Sequence, residues 1–237
     1  MVIFAISCDE HEIEYDTTSI DGLAEFQLHY FVPVDATSSN NIYRIEINNK
    51  LYSNSDAPLN TYNAVPNGGV GRFFTVEPGE VNIKLYQGTS EELVYDRTTT
   101  LTEGKQNVFI YDFDEDPIVF DNGYPYTANV TADTDSTTYV KFYNFMFETE
   151  GEPTDLKLQY QYVDPTTSEL VNIGGPVAFG ETTGWQPVKL IKSVYNSSGS
   201  ARVYYRLKVI DDNGSVVGDL QLFNSSSNYV SYSDYWT

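Results

Sequence analysis

The chain of 237 residues is long enough for one large domain or two small ones, and it is strongly acidic, with 34 Asp and Glu against 13 Lys and Arg and a formal net charge of −21. Proteins bind nucleic acid mainly through Lys and Arg, which displace counterions from phosphates, so this charge argues against a nucleic-acid partner and against an anionic lipid surface. No apolar segment reaches the ~20 residues that a membrane-spanning helix needs, and the single cysteine excludes an intrachain disulfide.

The chain opens with an apolar run that ends in Ser7 and Cys8 and is followed at once by acidic residues. A small residue before a lone cysteine at the end of an apolar stretch resembles a bacterial lipobox, in which the cysteine is acylated. We expect residues 1–8 to be a truncated lipoprotein signal, with Cys8 as the lipidation site, and 9–24 to be an acidic tether. The alternative is that residues 2–6 form a first strand and Cys8 is a buried free thiol.

The remaining chain has the composition and patterning of strands. It contains 20 Tyr and 13 Phe, and aromatic and β-branched residues favour the pleated surface of a sheet. Apolar residues alternate with polar ones instead of recurring at helical spacing, and Asn-Gly, Gly-Gly, Pro and Asp-rich turns separate the alternating runs. These patterns predict an all-β protein.

An internal repeat divides the chain. Five segments of the first half match five of the second in the same order: those starting at Phe26, Ile42, Ala64, Val81 and Asn107 match those starting at Val140, Asp155, Val177, Val203 and Tyr229. Each copy holds about seven short strands, which is typical of an immunoglobulin-like sandwich. We therefore predict two tandem immunoglobulin-like β-sandwiches, over 25–120 and 139–237, joined by a linker over 121–138.

The turn signals place the strands. In the first half we predict strands near 25–34, 42–48, 50–53, 69–76, 80–87, 92–101 and 106–113. In the second half we predict strands near 139–147, 155–163, 169–173, 184–194, 201–211, 215–223 and 228–236. Tight turns are expected at 48–49, 77–79 and 212–214, the last with the Asn-Gly step that a type I′ hairpin favours.

Two short motifs in the first half carry a resemblance to a known family. They are Val-Glu-Pro-Gly-Glu-Val over 76–81 and Leu-Thr-Glu-Gly-Lys over 101–105, and they follow matching segments at 26–35, 42–51 and 68–74. With them the first half resembles the family catalogued as domain of unknown function 4397, whose members are exported bacterial β-sandwiches, often tandem and often on lipoproteins. The second half lacks both motifs. The acidic start after Cys8 also resembles the export pattern of surface lipoproteins of gut-type Gram-negative bacteria. Together the two resemblances imply a lipid-anchored protein of the bacterial outer membrane, exposed at the cell surface, and imply no chemistry.

Carboxylates give one candidate metal site. Asp112, Asp114 and Asp116 alternate, so in an extended segment they share one face and offer the oxygen ligands that calcium prefers. Asp133 and Asp135 are a weaker pair. Pro117 stands where an EF-hand loop needs glycine, and the alternative is a solvated strand end without calcium or any other cofactor.

Aromatic residues give the candidate ligand site. Trp185, Trp236 and Tyr204 lie on predicted strands and offer rings for a polysaccharide or a protein partner, the alternative being that they belong to the core.

No sequence pattern indicates catalysis, because His29 alternates within a predicted strand and no nucleophile elbow is present. We expect a non-enzymatic, surface-tethered binding module; the alternative is a structural or assembly subunit of an adhesin-like or fimbria-like envelope complex.

Overall fold

The computed structural model describes residues 21–66, 72–121, 135–149, 151–191, 203–223 and 228–236. Within these ranges the chain is all-β, which confirms the predicted fold class, and a short 3-10 turn at Ser38–Asn40 joins two strands. The strands are β1 (Ala24–Tyr30), β2 (Ile42–Ile47), β3 (Lys50–Ser53), β4 (Asn63–Val65), β5 (Phe74–Val76), β6 (Gly79–Gln87), β7 (Glu92–Leu101), β8 (Gly104–Ile110), β9 (Ile118–Asp121), β10 (Asp135–Val140), β11 (Phe147–Thr149), β12 (Glu152–Pro153), β13 (Lys157–Val163), β14 (Leu170–Val177), β15 (Gln186–Ile191), β16 (Val203–Ile210), β17 (Val216–Asp219), β18 (Gln221–Phe223), β19 (Tyr229–Ser231) and β20 (Ser233–Trp236).

Strands β1 to β9 form two sheets. One has the order β4-β1-β8-β9, with β5 also paired to β1, and the other has the order β3-β2-β6-β7. Strands β1 and β8 are parallel, with Ala24 opposite Gly104 and Tyr30 opposite Ile110. A parallel pair needs a long connection, and here all four strands of the other sheet lie between β1 and β8 in the chain.

The two sheets of the first half share one core. Along β6, Val81, Ile83 and Leu85 are fully buried, whereas the residues between them are partly exposed, as expected for a strand with one face inward. These side chains belong to the same buried cluster as Phe26 and Leu28 of β1. Since each fully buried aliphatic side chain contributes about 1.5–3 kcal/mol, this cluster supplies the stability that no disulfide provides.

Strands β10 to β20 form one larger sheet and three pairs. The sheet has the order β14-β13-β16-β17, and β20 also pairs with β16; the pairs are β10-β15, β11-β12 and β18-β19. A second buried cluster lies in this half, formed by Leu158, Tyr160, Tyr162, Ile173, Val177, Val188 and Leu207.

The two halves share a four-strand order. The order β3-β2-β6-β7 and the order β14-β13-β16-β17 each join two hairpins through an antiparallel central pair, and the predicted repeat aligns these central strands. The other strands differ, because β8 pairs with β1 in the first half, whereas β19 pairs with β18 and β20 with β16 in the second. The immunoglobulin-like, tandem arrangement of the whole chain stays a prediction.

Two predicted turns differ in type. Asn48 and Asn49 both have positive φ, 49° and 61°, which is the type I′ geometry that fits the twist of a hairpin. The tight turn predicted at 212–214 is confirmed, but it does not have the type I′ geometry that its Asn-Gly step favours, because only Gly214 has positive φ there, at 80°. The side chain of Asp211 stabilises the geometry of this turn, because its Oδ1 accepts hydrogen bonds from the N–H of Asn213 at 3.0 Å and from the N–H of Ser215 at 2.7 Å.

The strand predicted over 139–147 is interrupted. Strand β10 runs from Asp135 to Val140, so it starts inside the predicted linker, and the chain leaves the extended ladder after Val140. Residues 122–134 of that linker lie outside the described ranges, as do Cys8 and residues 9–20 of the expected tether. The lipidation site and the domain boundaries therefore stay predictions.

Candidate binding cleft

The segment 141–146, which follows β10, is held by one buried amide. Asn144 is fully buried; its Nδ2 donates to the Val177 carbonyl at 2.9 Å, and its Oδ1 accepts the Met146 N–H at 2.9 Å. The Asn144 N–H donates to the carbonyl of Glu181 at 3.1 Å. Because this side chain satisfies backbone groups that a strand ladder would otherwise pair, the segment departs from regular β geometry.

Aromatic residues of this segment pack against the first half. Tyr143 and Phe145 pack against rings on β8 and β9 and against the ring of Phe31, which directly follows β1. We call the five residues Phe31, Phe109, Phe120, Tyr143 and Phe145 the aromatic cluster. Ring centroids are 4.7 Å apart for Phe109 and Phe145, 4.7 Å for Phe109 and Tyr143, and 4.8 Å for Phe120 and Tyr143. Since each such ring pair contributes about 0.5–1.5 kcal/mol beyond its buried area, the cluster joins the two halves.

A cleft of about 500 Å³ opens beside the aromatic cluster, between the halves. Both halves contribute to its lining, and the residues of the second half include members of the second buried cluster. The lining residues are Phe31, Phe109, Lys141, Phe142, Tyr143, Phe145, Leu158, Tyr160, Tyr205, Leu207, Leu220 and Tyr232. This size and this mainly aromatic lining are those of small-molecule sites, which occur preferentially at boundaries between domains.

Lys141 is the cationic residue of the cleft lining. It is half-buried, its Nζ donates to the Asp121 carbonyl at 2.6 Å, and the same Nζ lies 5.7 Å from the ring centroids of both Tyr143 and Trp185. Burial lowers the pKa of Lys141, while the charge of Asp121 opposes that shift. An ammonium group among aromatic faces attracts anions and the negative faces of rings.

Tyrosine hydroxyls supply most of the other polar groups. Tyr160 Oη donates to the Tyr143 carbonyl at 2.6 Å, and the hydroxyls of Tyr205 and Tyr232 lie 3.3 Å apart. Burial raises the pKa of Tyr160 and of Tyr143, so both hydroxyls are neutral near pH 7. Phe142 stacks on Tyr160 with the ring centroids 4.2 Å apart, which places an apolar face next to these hydroxyls.

His29 is a packing residue beside the aromatic cluster. Its ring stacks on Phe109 with the centroids 4.1 Å apart, and its Nε2 donates to Asn107 Oδ1 at 3.0 Å. Burial lowers the pKa of His29, although the hydrogen bond to Asn107 opposes that shift. Both contacts are with residues of the neighbouring strand β8, so the imidazole packs on the face of the sheet, as expected for a strand residue.

The carboxylates predicted for calcium form a turn after β8. The Asp114 N–H donates to Asp112 Oδ1 at 2.8 Å, and Arg97 Nη2 donates to the Asp114 carbonyl at 2.8 Å. Asp112, Asp114 and Asp116 do not converge: the described residues contain no group of three or more His, Cys, Asp or Glu side chains placed to hold a metal ion. The geometry therefore gives no support to the calcium candidates.

The aromatic candidates have separate locations. Tyr204 on β16 is 50% exposed and lies outside the cleft lining, whereas its neighbour Tyr205 lines the cleft. Trp185 is half-buried and lies beside Lys141 at the edge of the cleft. Trp236 pairs through its backbone with Val203 at the end of β20. Of Tyr204 and Trp185, the structure brings Trp185 close to the cleft, next to Lys141.

Comparison of the chain with protein-family models, with curated proteins and with solved structures finds no match. The resemblance of the first half to the family of unknown function thus stays a prediction. In the ranges that the structure describes, no helix has the length and apolarity needed to cross a bilayer.

Sequence reasoning missed Lys141, Tyr143 and Phe145, because the run 139–147 reads as one alternating strand. Two signals were available. A run of four aromatic residues within six positions follows Val140, and Asn144 interrupts the apolar alternation at its centre. A short polar side chain that can bond nearby backbone groups is a mark of irregular structure.

Proposed function

We propose that the chain is a non-enzymatic binding module, tethered to the outer surface of a bacterial cell through lipid at Cys8, and that it takes a polysaccharide or protein ligand in the cleft beside the aromatic cluster. The observation that carries this proposal is the cleft of about 500 Å³ between the two halves. Its lining combines aromatic faces with a few polar groups, which is the usual composition of a ligand site.

The chemistry of the lining supports binding. Aromatic side chains provide a large contact area while little conformational entropy is lost, and tyrosine adds a hydroxyl that orients the ligand. Phe142 and Tyr205 supply rings whose centroids lie 5.2 Å apart, and Tyr205 carries its hydroxyl beside that of Tyr232. The apolar face of a sugar ring, or an apolar side chain of a protein, fits such a surface.

Fluorescence tests this proposal directly. The chain has two tryptophans, so Trp236→Phe leaves Trp185, at the edge of the cleft, as the only indole reporter. In a titration with a panel of polysaccharides and envelope proteins, we expect at least one ligand to give a saturable change in emission.

Adjacent residues on β16 provide a matched pair of variants. Tyr205→Ala removes a ring from the cleft wall, whereas Tyr204→Ala removes an exposed ring just outside it. We expect Tyr205→Ala to weaken binding at least about 10-fold and Tyr204→Ala to leave it unchanged. Circular dichroism checks that both variants fold. Loss of binding in Tyr204→Ala alone would place the ligand on the outer face and contradict the proposal.

The tether has a separate test. Labelled palmitate fed to cells that express the full chain is expected to label the protein and not its Cys8→Ser variant. Equal labelling of the two proteins would discard the lipid anchor while leaving the cleft proposal in place.

A second candidate function, an assembly subunit, is favoured by one sheet edge. Strand β17 lies at the end of the order β14-β13-β16-β17, and its Val216 and Val217 are 61% and 62% exposed. An edge strand with exposed apolar residues is able to accept another strand. Sedimentation velocity distinguishes this function: concentration-dependent oligomers that Val217→Lys abolishes would support assembly, and a monomer at all concentrations would exclude it.

A further inference from the structure

We propose that Tyr205 and Tyr232 form an oxidative cross-linking site, at which a one-electron oxidant joins the two side chains into dityrosine. The product is a carbon–carbon bond between two rings that are 27 positions apart in the chain. This covalent modification goes beyond the proposed function and does not depend on it.

The two tyrosine rings meet at the edges that carry their hydroxyl groups. The hydroxyl oxygens lie 3.3 Å apart, and the ring centroids lie 6.1 Å apart with the ring planes inclined at 55°. In a tyrosyl radical the unpaired electron is shared by the oxygen and the ortho carbons, which lie directly beside the hydroxyl. The contact therefore brings together the parts of both rings through which tyrosyl radicals couple.

Backbone hydrogen bonds hold the pair in this position. The Tyr232 N–H donates to the Leu220 carbonyl at 2.6 Å, and the Leu220 N–H donates to the Leu207 carbonyl at 2.9 Å. Leu207 lies two residues after Tyr205 on β16, so their side chains are on the same face of the strand. Because the two rings are positioned before any reaction, coupling within the chain is favoured over coupling between chains.

The location of the pair allows an oxidant to reach it and gives the cross-link a structural effect. Tyr205 and Tyr232 are partly exposed and line the cleft, together with Leu207 of the second core. The single cysteine excludes an intrachain disulfide. A dityrosine link restricts the unfolded chain as a disulfide does, and it would stabilise the half whose core opens on the cleft.

The reaction balances as a two-electron oxidation. Two equivalents of a one-electron oxidant, such as a peroxidase intermediate or a photogenerated ruthenium(III) complex, each remove one electron, and each phenol releases its hydroxyl proton to solvent. The two radicals then couple through one ortho carbon of each ring. Each of these carbons loses its proton while the oxygen of the same ring gains one, which restores both phenols. The product lacks two hydrogen atoms relative to the starting pair.

Photo-oxidation with tris(bipyridine)ruthenium(II) and persulfate tests the site. Trypsin cleaves after Lys and Arg, so Tyr205 lies in the peptide 203–206 and Tyr232 in the peptide 209–237. We expect mass spectrometry to show these two peptides joined, with the loss of two hydrogen atoms, in protein that stays monomeric on a denaturing gel. The absence of this joined peptide from the monomer, or its presence in cross-linked dimers alone, would overturn the proposal.

Four phenylalanine variants, each of which keeps the ring for packing, assign the link. Tyr205→Phe and Tyr232→Phe remove the proposed phenols, and each is expected to abolish the joined peptide. Tyr204→Phe and Tyr229→Phe are matched controls on the same two peptides. They remove phenols of residues that are 50% and 70% exposed, and they are expected to preserve the joined peptide. Survival of the joined peptide in Tyr205→Phe or Tyr232→Phe, or its loss in either control, would contradict the assignment.

Thermal unfolding measures the restraint that the link imposes. The oxidised unmodified chain is compared with oxidised Tyr205→Phe, which undergoes the same treatment without forming the link. We expect the linked chain to unfold about 5 °C higher, since a link across 27 positions restricts the unfolded state. Equal unfolding midpoints would show that no link joins elements that separate on unfolding.

Discussion

The two halves of the molecule bury their cores to different degrees. Ile83 and Leu85 of the first core are 0% exposed, whereas Leu158 and Tyr162 of the second are 4% and 7% exposed. The first core is closed between two sheets, while Leu158, Tyr160 and Leu207 of the second core also line the cleft. A core that opens on a cleft is less completely removed from water than a core closed between two sheets.

Sheet topology explains the closed core. In the first half, β8 returns beside β1 over seven residue pairs, from Ala24–Gly104 to Tyr30–Ile110, and completes a second sheet over the first. In the second half, the described strands after β16 pair with one another or with β16 itself. The comparison shows that the first core is closed between two sheets, whereas the second core reaches the cleft, whose lining also includes Phe31 and Phe109 of the first half.

The largest expected effect comes from the closed core. Ile83→Ala removes a side chain with no exposed surface, and we expect it to lower the free energy of unfolding by about 3–4 kcal/mol, since the cavity it leaves stays empty. Urea unfolding monitored by circular dichroism measures this change. Ile83→Val, which removes one methyl group, is the matched control with an expected loss of about 1 kcal/mol.

The same truncation in the open core is expected to cost less. Leu207 lines the cleft, so in Leu207→Ala water replaces part of the missing side chain, and we expect a loss of about 2 kcal/mol in the same assay. A loss equal to that of Ile83→Ala would show that the second core is as closed as the first and would remove the contrast between the halves.

A contact between the halves is expected to show a smaller effect. A Cβ added at Gly180, whose φ is +71°, would lie 2.9 Å from Ile118 Cδ1 on β9. We expect Gly180→Ala to cost about 1.5 kcal/mol, from backbone strain together with this clash, because the end of the Ile118 side chain is able to shift.

Gly214→Ala separates these two causes. Its φ is +80° and nothing lies within 4 Å of the added atom, so it measures strain alone. Adding Ile118→Val to Gly180→Ala removes the clashing methyl group. We expect this second change to recover the part of the stability loss by which Gly180→Ala exceeds Gly214→Ala. If it restores nothing, the contact does not couple the halves.

The smallest expected effect is the pH dependence of His29. Burial lowers the pKa of His29 below its ordinary value of 6.5, so the unfolded chain takes up a proton at a higher pH than the folded one. The stability from neutral His29 is therefore complete above about pH 6.5 and is lost as the pH falls toward the pKa of the folded state.

His29→Gln isolates this effect, because Gln is neutral at every pH and keeps an N–H donor. Unfolding midpoints at about pH 7.5 and about pH 5.5 are compared for the two proteins, and we expect a larger fall for the unmodified chain. His11 is present in both and cancels. Identical falls would show that His29 does not carry the difference.

Much of the fold could be predicted from local pattern. The alternation in 80–87 and the turn at Asn48 and Asn49 predict β6 and the hairpin between β2 and β3, because a strand with one buried face repeats every second residue. At the candidate site, Tyr204 was predicted to bind the ligand, whereas its neighbour Tyr205 is the residue that lines the cleft. Alternation shows that adjacent rings face opposite sides, but it does not show which side is the core.

The amino-acid sequence by itself determined the all-β class, most strand positions and the acidic charge, because these depend on neighbouring residues and on composition. Tertiary structure alone decided the parallel pairing of β1 with β8, the interruption of the chain at Asn144, and the meeting of Phe109 with Lys141, Tyr143 and Phe145 around one cleft. Each of these three features brings together residues that are distant in the chain. The packing of whole sheets determines which distant residues meet, and local propensity does not encode that packing.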